Sequence, residues 1–304
     1  MPDIDLSQLT TEQRNPETTH IDELATIDIV RLMNEADQTV PQAIAKILPD
    51  IALAVDLITA RLAHGGRLCY IGAGTSGRLS ILDAVECPPT FSTPPELVQG
   101  FIAGGTPAIF RAQEGAEDDP VRGRQNLEQA GLRAQDVVVG IAASGRTPYV
   151  IGALDYARDV GAAAIALACS EHAVIADHAD LALLPVTGPE ILTGSTRLKA
   201  GTAQKLVLNM LSTATMIKLG KTYGNLMVDV KASNAKLTAR ARHIVSEVTG
   251  CTDSEAATVL RKAGGQAKLA ILMQMTGCTA TEGHLKLSLA HGHLVEALRR
   301  SRHE

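Results

Sequence analysis

Residues 72–77, Gly72-Ala73-Gly74-Thr75-Ser76-Gly77, spell G-x-G-x-x-G between a β-prone run, "RLCYI", and a helical pattern. A dinucleotide loop has this form, but it also needs an acidic residue about 20 positions on, at the end of the second strand, to meet the ribose hydroxyls. Here the second β-prone run, "LVQGFIA", ends in Gly104-Gly105, and the nearest acid, Glu96, precedes it. The loop therefore lacks the group that would read a dinucleotide. It offers instead two hydroxyls, Thr75 and Ser76, at a helix start with Arg78 beside them. Orphan N–H groups and the positive end of the helix dipole suit that position to a phosphate monoester.

The same chemistry recurs twice. "GIAASGRTPYV" places Ser144, Arg146 and Thr147 after a strand and before Pro148, a residue suited to the first helical turn. "TGSTRLKAGTAQK" places Ser195, Thr196, Arg197 and Lys199 at the start of a long helical pattern. Any one of these stretches could be an ordinary hydroxyl cap or a solvated basic helix end. A phosphorylated small molecule explains the three together. No metal is expected: His291 and His293 stand two apart with no carboxylate or thiol cluster around them, and zinc needs three or four converging ligands.

Composition narrows the partners. The chain has 304 residues, 45% of them apolar, enough for a large domain with an appendage or for two domains. With 28 basic against 33 acidic residues, seven aromatic residues in all and no Trp, nucleic acid is not an expected partner. The polar, acidic start "MPDIDLSQLTTEQRN" is unlike a signal peptide, and no apolar run reaches membrane-spanning length without a charge, so a cytoplasmic protein with no membrane partner is expected. Five cysteines without C-x-x-C pairing read as reduced thiols.

The elements that must position these loops follow from periodicity. After a leader over residues 1–20, "TVPQAIAKILPDIALAVDLITARL" spaces Ile44, Ile47, Leu48, Ile51, Val55 and Ile58 as one amphipathic helix. Short β-prone runs then alternate with helical patterns: "RLCYI", "LVQGFIA", "DVVVGIA", "AAIALAC" and "LALLPV", with "PAIFRAQ" and "PYVIGALDYARDV" among the helices between them. This alternation predicts βαβ units and a parallel sheet. From Thr196 a long packing helix carries Ala203, Leu206, Met210, Ala214 and Ile217 on one face, and the last 54 residues hold two S/T-x-x-E capping boxes, Thr252 to Glu255 and Thr279 to Glu282.

With these motifs in view, the chain resembles the sugar isomerase (SIS) domain and, more closely, the family of N-acetylmuramic acid 6-phosphate etherases. The resemblance rests on "GAGTSGRLSILDAVECPPTF", "AGGTPAIFRAQEGAEDD", "GIAASGRTPYV", "TGSTRLKAGTAQKLVLNMLSTATMIKLGK" and "GNLMVDVKASNAKL". It implies an α/β fold: a three-layer SIS-type sandwich with a central parallel sheet flanked by helices, plus a small C-terminal helical module. The boundaries expected are a leader over 1–20, the sugar phosphate-binding domain over 21–225, a helical connection over 226–250 and the module over 251–304.

The resemblance further implies elimination and hydration of a lactyl ether on a sugar phosphate without metal or organic cofactor, in a homodimer. Its two functional glutamates fall on Glu86, in "DAVECPP", as proton donor to the departing oxygen, and on Glu117, in "EGAEDD", in moving the C2 proton. Near the expected end of its helix, just before Cys87-Pro88-Pro89, Glu86 would meet the negative pole of the dipole, which favours the protonated form. The residues alone do not choose among Glu114, Glu117, Asp118 and Asp119 in that acidic turn. Two other activities begin from the same kind of site: an aldose-ketose isomerase of sugar phosphates, and a sugar-phosphate-binding regulator like the glucokinase regulatory proteins.

Overall fold

A computed structural model describes residues 10–230 and 235–302. Residues 1–9 of the expected leader and 231–234 of the expected connection, in "VKASN", lie outside the described residues. The chain groups into two compact units, one comprising the residues up to Val85 and Glu96–Ser212, the other Glu86–Pro95 and Thr213–Glu304. This grouping breaks at Ser212, inside the long helix, rather than at 225.

The first unit is built on five parallel strands, β1 (Leu68–Gly72), β2 (Val98–Ile102), β3 (Val137–Ile141), β4 (Ala163–Leu167) and β5 (Leu181–Leu183), in the order β2-β1-β3-β4-β5. Every residue of β1, β3 and β4 is buried, as the unbroken apolar runs require of strands covered on both faces. One face carries Cys69, Ile71, Val138, Ala164 and Ala166 against Tyr149, Val150, Ala153, Leu154 and Ala157 of α7 (Pro148–Asp159). On β1 and β2, Tyr70 pairs with Gly100 in register, and a side chain on Gly100 would collide with Ile81 of α4 (Gly74–Phe91), at 2.8 Å from its Cα. Helices thus pack on the sheet through strand positions of both parities, which is the expected three-layer arrangement.

Among the described residues three α-helices precede the sheet. The single amphipathic helix expected over 39–62 is two: α2 (Thr39–Ala45) and α3 (Leu48–Ala63), after α1 (Thr26–Asp37). Pro49 causes the break, because it has no N–H to give the preceding turn and fits only at a helix start. Two more helices follow β2. The shorter, α5 (Thr106–Phe110), ends before the "RAQ" of the expected pattern, and α6 (Pro120–Gln129) buries only Gly123 and Leu127. Its polar surface hid it from the periodicity. It is held because α6 and α7 cross at two glycines: an added Cβ would lie 1.9 Å from the Tyr149 carbonyl at Gly123 and 2.0 Å from that of Pro120 at Gly152. The last helix to begin in this unit is α8 (Lys199–Lys218).

At the amino end of the sheet, the fully buried Asp136 joins the approaches to β1 and β3. It accepts from Arg67 Nη2 at 2.6 Å and Nε at 3.1 Å and from the backbone N–H groups of Arg67 and Arg133, both at 2.9 Å. Burial alone would raise its pKa. The Arg67 guanidinium and the two N–H donors outweigh that cost and hold it below the usual carboxylate value.

The second unit holds α9 (Ala235–Thr249), α10 (Asp253–Lys262), α11 (Ala267–Thr276), α12 (Ala280–Leu289) and α13 (Leu294–Ser301) around Val228, Val230, Ile244, Val245, Ile271 and Leu294. Residues of the stretch expected as a connection therefore belong to this core. Both capping boxes form, with reciprocal bonds between Thr252 and Glu255 and between Thr279 and Glu282. Lys268, nearly buried, gives its three ammonium hydrogens to Asp229 at 2.7 Å and to the carbonyls of Gly220 and Gly292 at 2.8 and 3.0 Å. None of the five cysteines forms a disulfide: Cys69, Cys87 and Cys169 are buried, Cys251 and Cys278 partly so. Among the described residues no helix is long and apolar enough to cross a membrane.

Candidate active site

The strand order locates a binding crevice. From β1 the chain moves to β2 on one side, then crosses back to β3 on the other, so connections leave the carboxyl ends of β1 and β3 in opposite directions. A crevice opens at such a switch point, and ligands of open α/β sheets bind there. Gly72 pairs with Ile141, so the two strands end level. Their following loops are the hydroxyl-rich stretches 73–78 and 142–147.

The glycines of the first loop shape this end of the sheet. Gly74 has φ +53, a left-handed conformation that disfavours a side chain. A Cβ on Gly77 would stand 2.5 Å from Ile102 Cγ1 and 2.7 Å from the Gly72 carbonyl, so α4 seats tightly on β1 and β2. The loop consequently brings α4's first turn, with its orphan N–H groups, over the end of β1.

The expected ligand contacts fall into two groups. Thr75, Ser144, Arg146 and Thr147 are partly buried, and their side chains make no hydrogen bond or ion pair with described residues. Thr147 occupies the N-cap position of α7 without using its hydroxyl as a cap. Ordinary capping is therefore not what this hydroxyl does. Ser195, Thr196 and Arg197 have likewise uncommitted side chains, in a turn closed by backbone bonds from Ser195 N–H to Leu192 and from Leu198 N–H to Ser195.

Three other expected contacts are committed inward. Ser76, nearly buried, donates from its hydroxyl to Gln204 Oε1 at 2.9 Å. Arg78 donates from Nε to the Ile109 carbonyl at 3.0 Å. Lys199 is buried, with its ammonium on the Thr187 carbonyl at 2.8 Å, and burial first of all lowers its pKa. The start of α8 is also filled. The buried Glu190 accepts from the N–H groups of Lys199 and Ala200 at 3.0 and 2.9 Å, so a protein carboxylate holds the place an external phosphate would take. Nothing in the sequence reading pointed to Glu190 or Gln204. The long separations, Ser76 to Gln204 above all, carry no local signal.

Beside the crevice lies a solvent-open cleft of about 160 Å³, lined by Gly74, Arg78, Ala103, Gln113, Glu114 and Glu117 among others. The acids of its turn are no longer equivalent. Asp119 is the N-cap of α6, accepting from Arg122 N–H at 3.0 Å, and Asp118 is not part of the lining. Glu117 is exposed as a whole residue, yet its carboxyl is raised above the ordinary value, first by loss of water at the cleft wall and then by the charges of Asp118 and Glu114.

Glu86 is exposed and groups with the second unit. The expectation that it ends its helix needs correction: α4 continues through Pro88 and Pro89 to Phe91. The dipole acts within the last turn, so a helix-end argument does not reach Glu86.

Three family profiles match the chain: the glucokinase regulatory protein N-terminal SIS domain over residues 50–158, the SIS domain over 126–214, and the C-terminal lid domain of glucokinase regulatory protein over 224–269. Full-length relatives are closer. The N-acetylmuramic acid 6-phosphate etherase of Rhizobium rhizogenes is 59% identical over 294 residues, covering 97% of this chain and 96% of the relative. Etherase 2 of Vibrio cholerae is 57% identical over 96% of this chain and 95% of its own length. The etherase of Mycolicibacterium smegmatis is 52% identical over 97% and 99%.

Proposed function

The chain belongs to the N-acetylmuramic acid 6-phosphate etherase family, and from that membership we propose that the crevice over β1 and β3 receives the substrate's phosphate. The protein is a carbon–oxygen lyase. It removes the D-lactyl group of N-acetylmuramic acid 6-phosphate by elimination and hydration, giving N-acetylglucosamine 6-phosphate and D-lactate. One observation carries the placement of the phosphate: Thr75, Ser144, Arg146 and Thr147, at the ends of adjacent strands, have side chains uncommitted to described residues. Ser76 and Arg78 border the same loop, and Ser195, Thr196 and Arg197 supply further polar contacts. Lys199 supports α8 from within.

The reaction needs two carboxyl groups in different protonation states, and the family resemblance points to Glu86 and Glu117. In the open-chain sugar the C3 ether lies β to the C1 aldehyde, so the C2 proton is acidified. Removing that proton forms the C2–C3 double bond as the C3–O bond breaks, and the departing lactate oxygen takes a proton. Water then adds its oxygen to C3 while C2 regains a proton. A base and an acid suffice when one is ionised and the other protonated near neutrality. Glu117 is the C2 base: its raised pKa brings it nearer the working pH, where a base transfers protons best. Glu86 is the donor to the leaving oxygen, on the strength of its place in "DAVECPP".

The reaction serves recycling of peptidoglycan amino sugars in the cytoplasm. A homodimer is proposed on the α8 stripe, where Leu206, Met210 and Ala214 are only partly buried and Ile217 is 50% exposed. A fully active monomer in sedimentation would exclude it.

The test is D-lactate release from N-acetylmuramic acid 6-phosphate in deuterated water, with Glu86→Gln and Glu117→Gln run alongside. Wild type should release lactate. Glu86→Gln should still exchange deuterium at C2 while Glu117→Gln does not. Loss of C2 exchange in Glu86→Gln with retention in Glu117→Gln would reverse the assignment, and no lactate from folded wild type would remove it.

A further inference from the structure

Gln204 is 1% exposed, and its side-chain nitrogen has no hydrogen-bond partner among the described residues. A buried amide without a partner is costly and calls for an explanation. Its oxygen accepts from the Ser76 hydroxyl at 2.9 Å, and one turn earlier on α8 an added Cβ at Gly201 would touch Thr75 Cγ2 at 3.4 Å. Gln204 is thus the group directly behind the first turn of α4, and half of its hydrogen-bonding capacity there is unspent.

The polarity of that one bond matters. With its hydrogen on Gln204, Ser76 shows only lone pairs to anything arriving over the first turn, and lone pairs repel an anion. A half-turn of the Gln204 amide about its broad terminal torsion brings the nitrogen to Ser76 instead. The nitrogen then donates to Ser76 Oγ, and the hydroxyl hydrogen is free to turn outward. In either orientation the pair makes one bond and leaves one amide atom unpaired, so the two arrangements lie close in energy until an anion selects the second.

We propose that Gln204 is a positioning residue for the reaction, reversing the Ser76 hydroxyl from acceptor-facing to donor-facing when the phosphate of the substrate docks on α4. The inference rests on the placement of that phosphate in the crevice and adds a residue that never touches it. Gln204 acts through Ser76, and its unpaired nitrogen is the donor held in reserve.

The experiment compares wild type, Gln204→Met, Gln204→Glu, Ser76→Ala, the Ser76→Ala/Gln204→Met double variant and Thr75→Ala for kcat, KM, inhibition by inorganic phosphate, and Tm. In Gln204→Met, KM and the phosphate inhibition constant should rise about tenfold with little change in kcat, the size of losing one hydrogen bond to a charged group. Tm should change little, because the buried unpaired amide nitrogen goes as the Ser76 hydroxyl loses its acceptor. Gln204→Glu, which only accepts, should raise KM further. The double variant should match Ser76→Ala, since Gln204 works through that hydroxyl.

A lowered Tm in Gln204→Met with KM and phosphate inhibition unchanged would overturn the inference and leave Gln204 a packing residue. So would unchanged values in both Gln204 variants while Thr75→Ala weakens phosphate inhibition, an outcome that keeps the crevice itself. If Thr75→Ala, Ser76→Ala and Gln204→Met all leave phosphate inhibition untouched, the placement of the phosphate fails and the inference with it.

Discussion

Asp136→Asn separates what holds the sheet from what works at its other end. Asp136 precedes the first residue of β3, at the amino end, while the crevice lies beyond Gly72 and Ile141 at the carboxyl end. The substitution keeps shape and removes the charge that receives two Arg67 nitrogens and two backbone N–H groups. An amide nitrogen must then face donors. Removing one partner of a buried ion pair costs about 3–5 kcal/mol, and the half-exposed Arg133 guanidinium adds about 1 kcal/mol at most. At about 2–4 °C per kcal/mol for a unit of this size, thermal unfolding should come roughly 6–24 °C earlier.

The pH dependence fixes the cause. Because the folded pKa of Asp136 is lowered, its contribution is complete above the unfolded value of about 3.9 and fades as pH falls through the folded value. The difference between variant and wild type should therefore be level from neutral pH down to about 5 and narrow below about 4. Circular dichroism melts over that range measure it, and lactate release at a temperature where both are folded should give matching kcat and KM. Equal stability at pH 7 would refute the energetic argument. A large loss of kcat in folded Asp136→Asn would refute the division of labour between the two ends of the sheet.

Other outcomes follow from the same geometry. Gly77→Ala should destabilise the protein by about 1–3 kcal/mol, because the Gly72 carbonyl and Ile102 must yield, and should raise KM as the first turn of α4 is displaced; melts and steady-state kinetics measure both. The acid limb of the kcat/KM profile should lie above the ordinary glutamate value of about 4.3, since ionised Glu117 is the active form and its pKa in the free protein is raised; a limb at or below that value would argue against Glu117 as base. Thr252→Ala and Thr279→Ala should each cost about 0.5–2 kcal/mol in urea unfolding through loss of a capping box.

The strands and the hydroxyl-rich loops were legible because they are local: five apolar runs, each followed by a turn, and Gly, Ser and Thr at helix starts. Both capping boxes were legible for the same reason. Helix α6 was not, since two buried residues in ten leave no stripe to detect. The split of α2 from α3 was written in Pro49 but overridden by a continuous apolar spacing. Pro88 and Pro89 erred the other way, reading as a helix end where α4 runs on to Phe91. Strand order, the Glu190 carboxylate on α8 and the Ser76–Gln204 bond join segments far apart in the chain, so no window of sequence contains them.

The reduced thiols give the molecule built-in reporters of its own opening. Burial pushes the Cys69 thiol up to about 12 and raises Cys169 as well, so in the closed sheet neither supplies the thiolate that alkylating reagents attack. Modification at those positions therefore counts excursions of the first unit, and modification of Cys87, the buried thiol of the second, counts those of the second. Mass spectrometry of a timed iodoacetamide reaction would show whether the two units breathe together or on separate clocks, without any label being introduced.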